Sequence, residues 1–591
     1  MKTSEFLTEK RVPVGIDNFR KLVDEHYLFC DKTLIIKELI DRGNEVTLMV
    51  RPRRWGKTLN MSMLRHFFAP EVLGVPTKDL FNNLAIASTD AGRYMHSQGQ
   101  FSVIFISFKD IHANTFESAY QKIGEQMSFL YGEFEVLKDS HKLTEPQRIT
   151  FSNILKRTAT KSEVENSLKI LSQCLYRYFG KKVYILIDEY DTPLNSAYGK
   201  YLDDITTFLR NLFSAALKGN EALERGVLTG ILRVSKDSML SGLNNLMTYT
   251  VLDEPYKNHF GFSEVEVTSL FAEKGAKLNL EDIRTWYNGY KIYDLVVYNP
   301  WSIMACLSHN GDIELYWTES ARNDLVKSTI VDSTADIKSK LEILMQDGNI
   351  STRINKHVTF DSLKDNEIAL WSLLLFMGYL KAESSVFDRD SGAHQCVLSI
   401  PNREVFMLYK QYTLDWFIEK LGGGEDKYVL FLDSLSKGNI PEFTENLVSY
   451  LLETASVFDV GGGKKGEAFY HGFSLALIAG LRNKYHIRSN REGGLGRYDV
   501  LLIPKNLHNP EAIILEFKHA KVSQKMATVA KEALEQINSK LYDTELKSYE
   551  YVKSILKVGT AFSGKSAISA YERTDLITKN STTLLLTREI I

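Results

Sequence analysis

The chain has 591 residues, of which 44% are hydrophobic and 25% charged, and its formal net charge is −2. A chain of this length exceeds a single hydrophobic core, so we expect about two to four domains of ordinary globular type. The near-neutral charge excludes a global basic field for nucleic acid, and any such contact must come from local patches.

Four cysteines are scattered along the chain without a C-x-x-C pair, at Cys30, Cys174, Cys306 and Cys396. This spacing argues against a disulfide framework or a zinc ribbon and is typical of a reducing cytosol. Residues 1–10 lack the apolar core of a signal peptide, and no apolar run reaches the length of about 18 residues that a membrane helix needs. We therefore predict a cytoplasmic protein without a membrane span.

The first chemical motif follows a short apolar run, Val46-Thr-Leu-Met-Val50, and reads Arg51-Pro-Arg-Arg-Trp-Gly-Lys-Thr58 before a helical pattern. Strand, Gly-containing turn and helix in this order bring backbone N–H groups and a Lys to phosphates and a Thr hydroxyl to Mg²⁺. The strict pattern begins with Gly, and Arg51 stands in that place. Arg51, Arg53 and Arg54 are expected to make the loop cationic. The ATP-binding residues predicted here are Arg53, Arg54, Trp55, Gly56, Lys57 and Thr58, with Thr58 also a ligand of Mg²⁺.

Further apolar runs at 101–108, 182–188 and 226–232 are separated by long helical segments. Continuous apolar strands that alternate with helices indicate a parallel sheet buried on both faces. The second run ends in Asp188 and Glu189, which we expect to hold Mg²⁺ and to polarise the attacking water, respectively. A Gly-Lys-Thr triplet or an Asp-Glu strand end is common by chance, so only their joint occurrence predicts a nucleotide site.

Two residues near the end of the third run are further candidates for that site. Thr229 is placed to sense the γ-phosphate, although a satisfied strand-end hydroxyl is the alternative. Arg233 is placed to stabilise transition-state charge, although it could equally be an ordinary surface arginine.

The motifs of residues 10–305 occur in the order of the bacterial and archaeal AAA-ATPase-like family, which this part of the chain resembles. They are Arg51-Pro-Arg-Arg-Trp-Gly-Lys-Thr58, Asp188-Glu-Tyr-Asp191, Leu228-Thr-Gly230, Ser241-Gly-Leu-Asn-Asn245, Phe260-Gly-Phe262, Trp286-Tyr-Asn-Gly-Tyr290 and Tyr298-Asn-Pro-Trp-Ser302. The Arg-Pro-Arg-Arg loop is usual in that family. The resemblance implies an ATPase of the additional-strand P-loop class, related to signal-transducing ATPases with numerous domains (STAND), with a small helical lid, which we place at 264–288.

The middle of the chain has clear secondary-structure patterns but no candidate catalytic or ligand-binding motif. An apolar helix at 370–380, a short strand at 396–400 and a helix at 405–418 predict a winged-helix-like module. Such modules can contact DNA, but no basic stripe is visible, and we favour a packing or regulatory role. Glycine runs at 422–424 and 461–463 are predicted hinges.

A second chemical motif lies near the C-terminus, where Arg497-Tyr-Asp-Val-Leu-Leu-Ile503 and Ala512-Ile-Ile-Leu-Glu-Phe-Lys518 predict a β-hairpin. Side chains alternate along a strand, so Glu516 and Lys518 share one face, which Asp499 can reach. Carboxylates at one spot favour Mg²⁺ or Mn²⁺, and a Lys can orient the attacking water. Glu467, near the start of a predicted helix at 466–478, is placed to join them.

These residues also resemble a PD-(D/E)XK nuclease superfamily domain, through Glu467-Ala-Phe-Tyr-His-Gly472, the run 489–499, Leu515-Glu-Phe-Lys518, Ala533-Leu-Glu-Gln-Ile537 and Tyr542. The resemblance covers about residues 425–591 and implies a nuclease fold whose site residues are Glu467, Asp499, Glu516 and Lys518. Arg491 and Arg497 are plausible phosphate contacts or partners of surface acids. A nuclease-like fold without activity and a structural ion pair stay open as alternatives.

The expected fold class is α/β. The predicted domains are a P-loop NTPase with a parallel sheet at 1–255, the lid at 256–308, the winged-helix-like domain at 309–421 and an α/β nuclease fold at 425–591. We predict an ATP-hydrolysing protein whose nucleotide state regulates a Mg²⁺- or Mn²⁺-dependent nuclease acting on DNA, with RNA also open, and with host defence as its expected role. The alternative is a STAND-like switch or scaffold whose C-terminal domain binds nucleic acid or protein without cleavage. A translocating motor is disfavoured because no pore loop is visible, and a homo-oligomer stays open.

Overall fold

The computed structural model divides the chain into two compact units, residues 1–329 with 346–406 and residues 330–345 with 407–591. It describes residues 10–588 except 233–239, 241, 277–278, 320–334, 346–347, 357–365, 391, 421–423, 455–477, 479–480, 482–483, 494–495, 506–509, 521–523, 540–545, 547–548, 550, 564–565, 579 and 583. Within these described ranges, no helix is long and apolar enough to cross a membrane.

A five-stranded parallel sheet forms the centre of the first unit. The first strands of this unit are β1 Val46–Val50, β2 Glu71–Val72, β3 Val75–Pro76, β4 Ser102–Ser107, β5 Val183–Asp188, β6 Leu223–Gly230 and β7 Leu246–Tyr249. The sheet order is β4-β5-β6-β1-β7, while β2 and β3 form a separate hairpin. Strand β6 lies between β1 and β5, where the additional strand of the expected P-loop class belongs. All positions of β1 and β5 are buried, because helices cover both sheet faces.

Helices connect these strands, and the predicted strands are confirmed, with β6 beginning earlier than the sequence suggested. The helices are α1 Phe19–Asp24, α2 Leu34–Arg42, α3 Lys57–Phe68, α4 Ala85–Ser88, α5 Phe116–Gly132, α6 Glu145–Leu155, α7 Lys161–Glu165, α8 Ser167–Phe179, α9 Thr192–Ala197 and α10 Leu202–Leu217, with 3₁₀ turns at Thr89–Ser97, Glu135–Leu137 and Lys257–His259. Local sequence sets their starts. Thr115, for example, caps α5 by accepting a hydrogen bond from the backbone N–H of Ser118.

The predicted helical lid follows the sheet. The predicted bounds, 256–308, contain α11 Glu264–Lys274, α12 Leu280–Tyr287, β8 Tyr290–Ile292, β9 Leu295–Val297 and α13 Pro300–Ser308, and α14 Tyr316–Glu319 follows them. A capping box between Ser263 and Glu266 starts α11, and Asn299 caps α13 with Pro300 in its first turn. The helices share one apolar cluster that also buries Leu28.

The middle region contains a helix, a hairpin and a second helix, as the sequence predicts. The elements are α15 Ala335–Met345, β10 Ile350–Ile354, α16 Glu367–Met377, β11 Lys381–Asp388, β12 Ala393–Ser399 and α17 Arg403–Lys420. Strand β10 adds to the hairpin to give an antiparallel sheet of order β10-β12-β11. The division between the two compact units crosses α17 after residue 406.

The second unit is built on a six-stranded mixed sheet. Its further elements are α18 Gly424–Ser436, α19 Ile440–Thr454, β13 Tyr485–Gly493, β14 Gly496–Pro504, β15 Glu511–His519, α20 Met526–Ser539, β16 Ser554–Ser563, β17 Ser566–Asp575 and β18 Leu585–Leu586. The order is β13-β14-β15-β16-β17-β18, with β15 and β16 parallel and the other neighbours antiparallel. The predicted β14–β15 hairpin is confirmed.

Alternation along the strands of the second unit produces two apolar layers, one on each face of the sheet. Leu502 and Leu515 belong to the layer that includes α18 and α19. Leu501 and Ile514 belong to the layer that includes α20. Of the predicted hinges, Gly424 begins α18, while the rest of that run and all of 461–463 lie outside the described residues.

Candidate functional site

The turn between β1 and α3 has the backbone shape that a phosphate loop needs. Arg54 and Gly56 both have positive φ angles, +64° and +76°. An added Cβ on Gly56 would meet nothing within 4 Å, so its φ rather than crowding favours glycine there. Helix α3 begins directly after it, at Lys57. Helix N-terminal N–H groups are thereby brought to the loop, where an anion is stabilised.

The carboxylate of Asp188 joins three strands and the P-loop helix. It is fully buried and accepts hydrogen bonds from the hydroxyls of Thr58 at 2.9 Å, Ser107 at 3.1 Å and Thr229 at 2.6 Å. Burial and the neighbouring charge of Glu189 raise the pKa of Asp188, and the hydroxyl hydrogen bonds oppose that rise. The predicted residues Thr58, Asp188 and Thr229 therefore meet at one point.

Ser107 is a member of this cluster that the sequence reasoning missed. It is the last residue of β4 and lies opposite Asp188 in the parallel register of β4 and β5. Parallel strands present their C-terminal ends at one edge of the sheet. The available signal was a hydroxyl at the end of the predicted strand at 101–108, which became meaningful only once that strand was known to neighbour β5.

Lys57 and Glu189 form the charged part of the site. Lys57 Nζ lies 3.1 Å from Glu189 Oε1 and donates to the backbone carbonyls of Arg51 at 3.3 Å and Pro52 at 3.0 Å. Glu189 has a φ of +52°, a conformation that non-glycine residues rarely adopt and that is common at functional sites. This turn places its carboxylate beside the P-loop lysine immediately after β5 ends.

The two residues after Glu189 hold the adjoining strand β6. Asp191 is fully buried, and its Oδ2 accepts hydrogen bonds from the backbone N–H groups of Ile231 at 2.8 Å and Leu232 at 2.9 Å. Burial, with a contribution from Glu189, raises the pKa of Asp191 to about 6. Tyr190 donates its backbone N–H to the carbonyl of Thr229 at 3.1 Å. The end of β6 is therefore attached to the loop that follows β5.

A cavity of about 560 Å³ adjoins these groups, within the range of about 300–1,000 Å³ that is typical of small-molecule sites. Its polar lining includes the predicted loop residues and Glu189, and its apolar lining includes side chains from before β1 and from residues 262–304. The lining includes Arg53, Arg54, Trp55, Gly56, Lys57, Thr58, Glu189, Ile16, Phe29, Phe262, Trp301 and Met304.

Two aromatic contacts define how the basic part of the loop is held. The Arg54 guanidinium lies 3.7 Å from the ring centroid of Trp301, and burial followed by the charge of Arg53 lowers the pKa of Arg54. Trp55 is buried and packs edge-to-face on Tyr290 at 5.3 Å. Trp301 was missed as a site residue, because its approach to the loop depends on lid packing.

Arg51 departs from the expectation that it adds charge to the phosphate side of the loop. Its side chain is fully buried and its guanidinium donates to backbone carbonyls in the core. The predicted Arg233 lies outside the described residues. The described groups fit a nucleotide with Mg²⁺, since Lys57, Thr58 and Glu189 line one cavity at the N-terminus of α3. The buried carboxylate of Asp188 lies behind them and accepts a hydrogen bond from the Thr58 hydroxyl.

The predicted acids of the second unit are brought together on the sheet face that α20 covers. Val500 of β14 is paired with Leu515 of β15. Asp499 immediately precedes Val500, and Glu516 immediately follows Leu515, so the two acids are adjacent to this pair on neighbouring antiparallel strands. The backbone N–H of Asp499 donates to Glu516 Oε2 at 3.3 Å, and the N–H of Phe517 donates to Asp499 Oδ2 at 2.8 Å. Glu516 is only 4% exposed.

Helix α20 adds a polar group to this acid pair. Gln536 donates a side-chain hydrogen bond to Glu516 Oε1, and Lys518 is half-buried two positions along β15. The sequence matched Gln536 to a motif but gave no partner for it, since the contact depends on how α20 crosses the sheet. The two carboxylates are oxygen donors of the kind that Mg²⁺ and Mn²⁺ prefer, so the donor set fits a divalent cation.

Several predicted residues of this second site are not described. Glu467, positions 466–477 of its predicted helix and Tyr542 lie outside the described residues, as do the side chains of Arg491 and Arg497. Within the described part of the chain, no group of three or more His, Cys, Asp and Glu residues is close enough to hold a metal ion. The described acid pair would therefore need a further ligand from elsewhere.

Two family models match the chain, one in each half. Residues 13–240 match a family described as a predicted AAA-ATPase, and residues 465–572 match the PD-(D/E)XK nuclease superfamily. Both expected resemblances are confirmed, and with them the α/β fold class.

One curated relative and one solved structure can be compared. An "Uncharacterized protein in vnfD 5'region" of Azotobacter chroococcum mcd 1 is 25% identical over 381 residues, which cover 63% of this chain and 64% of that protein. The chain thus spans less than two thirds of the relative's length. The Aeropyrum pernix ORC2 protein (ADPNP-ADP complexes) covers 67% of this chain and 98% of its own, at 10% identity and a TM-score of 0.28. A score this low carries no argument about the fold.

Proposed function

We propose that this chain, which carries an AAA-ATPase-like domain followed by a PD-(D/E)XK nuclease superfamily domain, hydrolyses ATP and uses its nucleotide state to control a metal-dependent nuclease that acts on DNA. The observation that carries the proposal is that Lys57, Thr58 and Glu189 line one cavity, with Glu189 paired to Lys57 and the buried Asp188 hydrogen-bonded to Thr58. For the nuclease part of the proposal, the supporting observation is the acid pair at Asp499 and Glu516 in the second unit.

In the first site, Lys57 would bind the β- and γ-phosphates, and the N–H groups at the start of α3 would hold their oxygens. Thr58 and Asp188 would hold Mg²⁺, which supplies neutralisation of the developing phosphate charge. Glu189, one residue beyond β5, would orient and polarise the attacking water. Arg53, Arg54 and Trp55 would contact the nucleotide from the loop.

Two further residues are assigned to the same reaction. Thr229 would relay the presence of the γ-phosphate, because its hydroxyl already binds the carboxylate of Asp188. Arg233 follows the end of β6 in the sequence and would stabilise transition-state charge.

In the second site, Asp499 and Glu516 would hold a Mg²⁺ or Mn²⁺ ion, with Glu467 as a third acid. The ion supplies a bound water of lowered pKa and screens the scissile phosphate. Gln536 would keep the Glu516 carboxylate oriented through its hydrogen bond, as groups behind metal ligands commonly do. Lys518 would orient the attacking water or stabilise the negative charge that develops on the phosphate.

Plasmid cleavage with Mg²⁺ or Mn²⁺, with and without ATP, tests both assignments. We expect Asp499→Ala to abolish cleavage, because one of two described metal ligands is lost. We expect Lys57→Ala to abolish ATP binding and to remove the effect of ATP on cleavage. Cleavage that survives Asp499→Ala contradicts the nuclease assignment. Cleavage that responds equally to ATP in wild type and Lys57→Ala contradicts the coupling.

A second candidate is an ATPase switch or scaffold whose C-terminal domain binds nucleic acid or protein without cutting. Its motivation is that Asp499 and Glu516 are hydrogen-bonded within the protein, as the acids of a structural pair would be. Calorimetry with Mn²⁺ on wild type and Glu467→Ala separates the two. Saturable Mn²⁺ uptake by wild type that Glu467→Ala weakens supports the nuclease, and absence of uptake by wild type supports the switch.

A further inference from the structure

Arg51 occupies the position at which the strict P-loop pattern has its first glycine, and its side chain is turned away from the phosphate side of the loop. The residue is 0% exposed. A buried guanidinium is costly unless its donors are satisfied, so an arginine kept in the core requires a structural reason.

The guanidinium binds backbone carbonyls from three places. Its Nη1 donates to the carbonyls of Val50 at 2.8 Å and Tyr249 at 3.0 Å, and its Nη2 donates to that of Pro255 at 3.5 Å. Its Cζ lies 4.8 Å from the ring centroid of Phe260. A planar fork of donors makes this set of contacts, whereas a lysine ammonium presents a compact point charge.

The backbone of Arg51 contacts both the end of strand β6 and the P-loop lysine. Its N–H donates to the carbonyl of Gly230 at 3.1 Å, at the end of the strand that carries Thr229. Its carbonyl accepts a hydrogen bond from Lys57 Nζ at 3.3 Å. Arg51 is thus in contact with the P-loop lysine on one side and with residues 249–260 on the other.

Residues 249–262, which we call the lid-connecting segment, run from β7 to the helical lid and reach the cavity. His259, Gly261 and Phe262 line it. The carbonyl of His259 accepts a hydrogen bond from Asn60 of α3 at 3.0 Å. Tyr256 has a φ of +62°, a strained conformation for a bulky residue that the surrounding contacts must maintain.

The lid-connecting segment also places a carboxylate near Arg51. Asp253 accepts hydrogen bonds from the N–H and hydroxyl of Thr250 and forms an ion pair of 2.6 Å with Lys356. Burial lowers the pKa of Arg51 to about 10, with Asp253 acting in the opposite direction. The guanidinium therefore remains charged at neutral pH and retains all of its donors.

We propose that Arg51 is a positioning residue that couples the phosphate loop to the lid-connecting segment, so that nucleotide bound at Lys57 is sensed by residues 249–262. The proposal rests on the ATPase function proposed above. It predicts that Arg51→Gly, which restores the glycine of the strict motif, lowers the rate of ATP hydrolysis instead of raising it. The loop keeps its own N–H groups and lysine, but the segment loses its attachment.

Hydrogen exchange of the full chain, with and without ATP, tests this directly. In wild type, ATP slows exchange both in the loop at 52–60 and in the lid-connecting segment. In Arg51→Gly and in Arg51→Met, which keeps side-chain volume, we expect exchange of the segment to rise at least about tenfold without nucleotide. ATP then still protects 52–60 but no longer protects 249–262, and kcat for hydrolysis falls by more than KM rises.

Arg225→Met is the matched control, since Arg225 also donates to a backbone carbonyl, that of Asn44 at 3.0 Å, near the opposite end of the same sheet. It should leave exchange of 249–262 and hydrolysis unchanged. Arg51→Lys, which keeps the charge, should give exchange rates between those of wild type and Arg51→Met, and it serves as the test variant if the other two do not fold.

The proposal is overturned if Arg51→Gly shows the exchange rates and the ATP hydrolysis of wild type. Where only Arg51→Lys folds, the same result in that variant overturns it. If wild type neither binds nor hydrolyses ATP, the ATPase assignment fails. The exchange rates without nucleotide still decide whether Arg51 holds the segment.

Discussion

Asp188 shows how much of the nucleotide site depends on one side chain. Three hydroxyls converge on its carboxylate, from α3, β4 and β6, although they are far apart in the sequence. The group is fully buried, so each hydroxyl offsets part of the cost of removing the carboxylate from water. Changes at any one of these residues should therefore affect stability as well as chemistry.

Thr229→Val removes one of the hydroxyls while keeping the side-chain shape. Asp188 Oδ1 then loses a 2.6 Å hydrogen bond in a buried place. We expect the free energy of unfolding of the first unit to fall by about 1–3 kcal/mol, measured by urea unfolding. Thr229→Ser keeps the hydroxyl and should stay close to wild type. A Val variant as stable as wild type contradicts this role.

At the scale of elements, α3 connects the P-loop to the core through its buried face. His66 lies on that face, and its Nδ1 is 2.7 Å from the carbonyl oxygen of Ser62. Burial lowers the pKa of His66 to about 4, because a charged ring is disfavoured away from water.

This pKa shift predicts a pH dependence of stability. The unfolded chain takes up a proton at His66 near pH 6.5, whereas the folded chain does so only near pH 4. The unfolded state therefore binds more protons between these values, and stability is lost as the pH falls from about 6.5 to about 4. In urea titrations at several pH values, His66→Gln should show a smaller loss than wild type relative to pH 8. Equal slopes for both proteins contradict the prediction.

In the second unit, close packing of α20 on β16 positions Gln536 against Glu516. A Cβ added to Gly559 would lie 2.4 Å from the backbone nitrogen of Leu534 and 2.6 Å from the carbonyl oxygen of Ala530. Both are backbone atoms of α20 and cannot rotate away, so glycine permits this approach.

Gly559→Ala should push α20 off the sheet. We expect the second unit to lose about 1–3 kcal/mol of stability in urea unfolding. Plasmid cleavage should fall as well, because Gln536 moves away from Glu516. Gly124→Ala is the control, since an added Cβ there meets nothing within 4 Å. An unchanged unfolding transition for Gly559→Ala contradicts the packing argument.

For the whole molecule, two compact units with one candidate site each make coupling a measurable quantity. If nucleotide state controls the binding of DNA to the second unit, ATP and DNA change each other's affinity by the same factor. We expect a factor of about 5–150, the usual range for coupled sites. Fluorescence anisotropy in Ca²⁺, chosen to prevent cleavage, measures DNA binding with and without ATP, and the reciprocal titration measures ATP binding. Affinities that do not change in either direction contradict coupling through DNA binding, and the plasmid assay with and without ATP then tests coupling through the cleavage rate.

The same comparison separates the two proposed functions. In a switch that does not cut, the reciprocal change persists although cleavage never occurs with Mg²⁺ or Mn²⁺. In a nuclease, Lys57→Ala removes both the ATP dependence of DNA binding and that of cleavage.

Much of the fold and of the candidate site is predictable from local patterns. Apolar runs predicted β1, β4, β5 and β6, and their alternation with helices predicted a parallel sheet. Lys57, Thr58, Asp188 and Glu189 were recognisable because each ends or follows an apolar strand. The acids Asp499 and Glu516 were found because alternation along two neighbouring predicted strands brings them to one face.

What escaped prediction depends on which elements become neighbours. Ser107 joins Asp188 only through the register of β4 and β5. Trp301 reaches Arg54 only because the lid packs beside the loop. The direction of the Arg51 side chain depends on carbonyls of Tyr249 and Pro255, roughly two hundred residues away in the chain.

The sequence by itself determined the order of strands and helices, the two motifs and the types of chemistry they permit, because periodicity, turn residues and strand ends are local properties. Tertiary structure alone decided which hydroxyls bind Asp188, which groups line the cavity and which carbonyls the Arg51 guanidinium binds. Those contacts join segments distant in the chain. They exist only when strand register and helix packing bring particular atoms within hydrogen-bond distance.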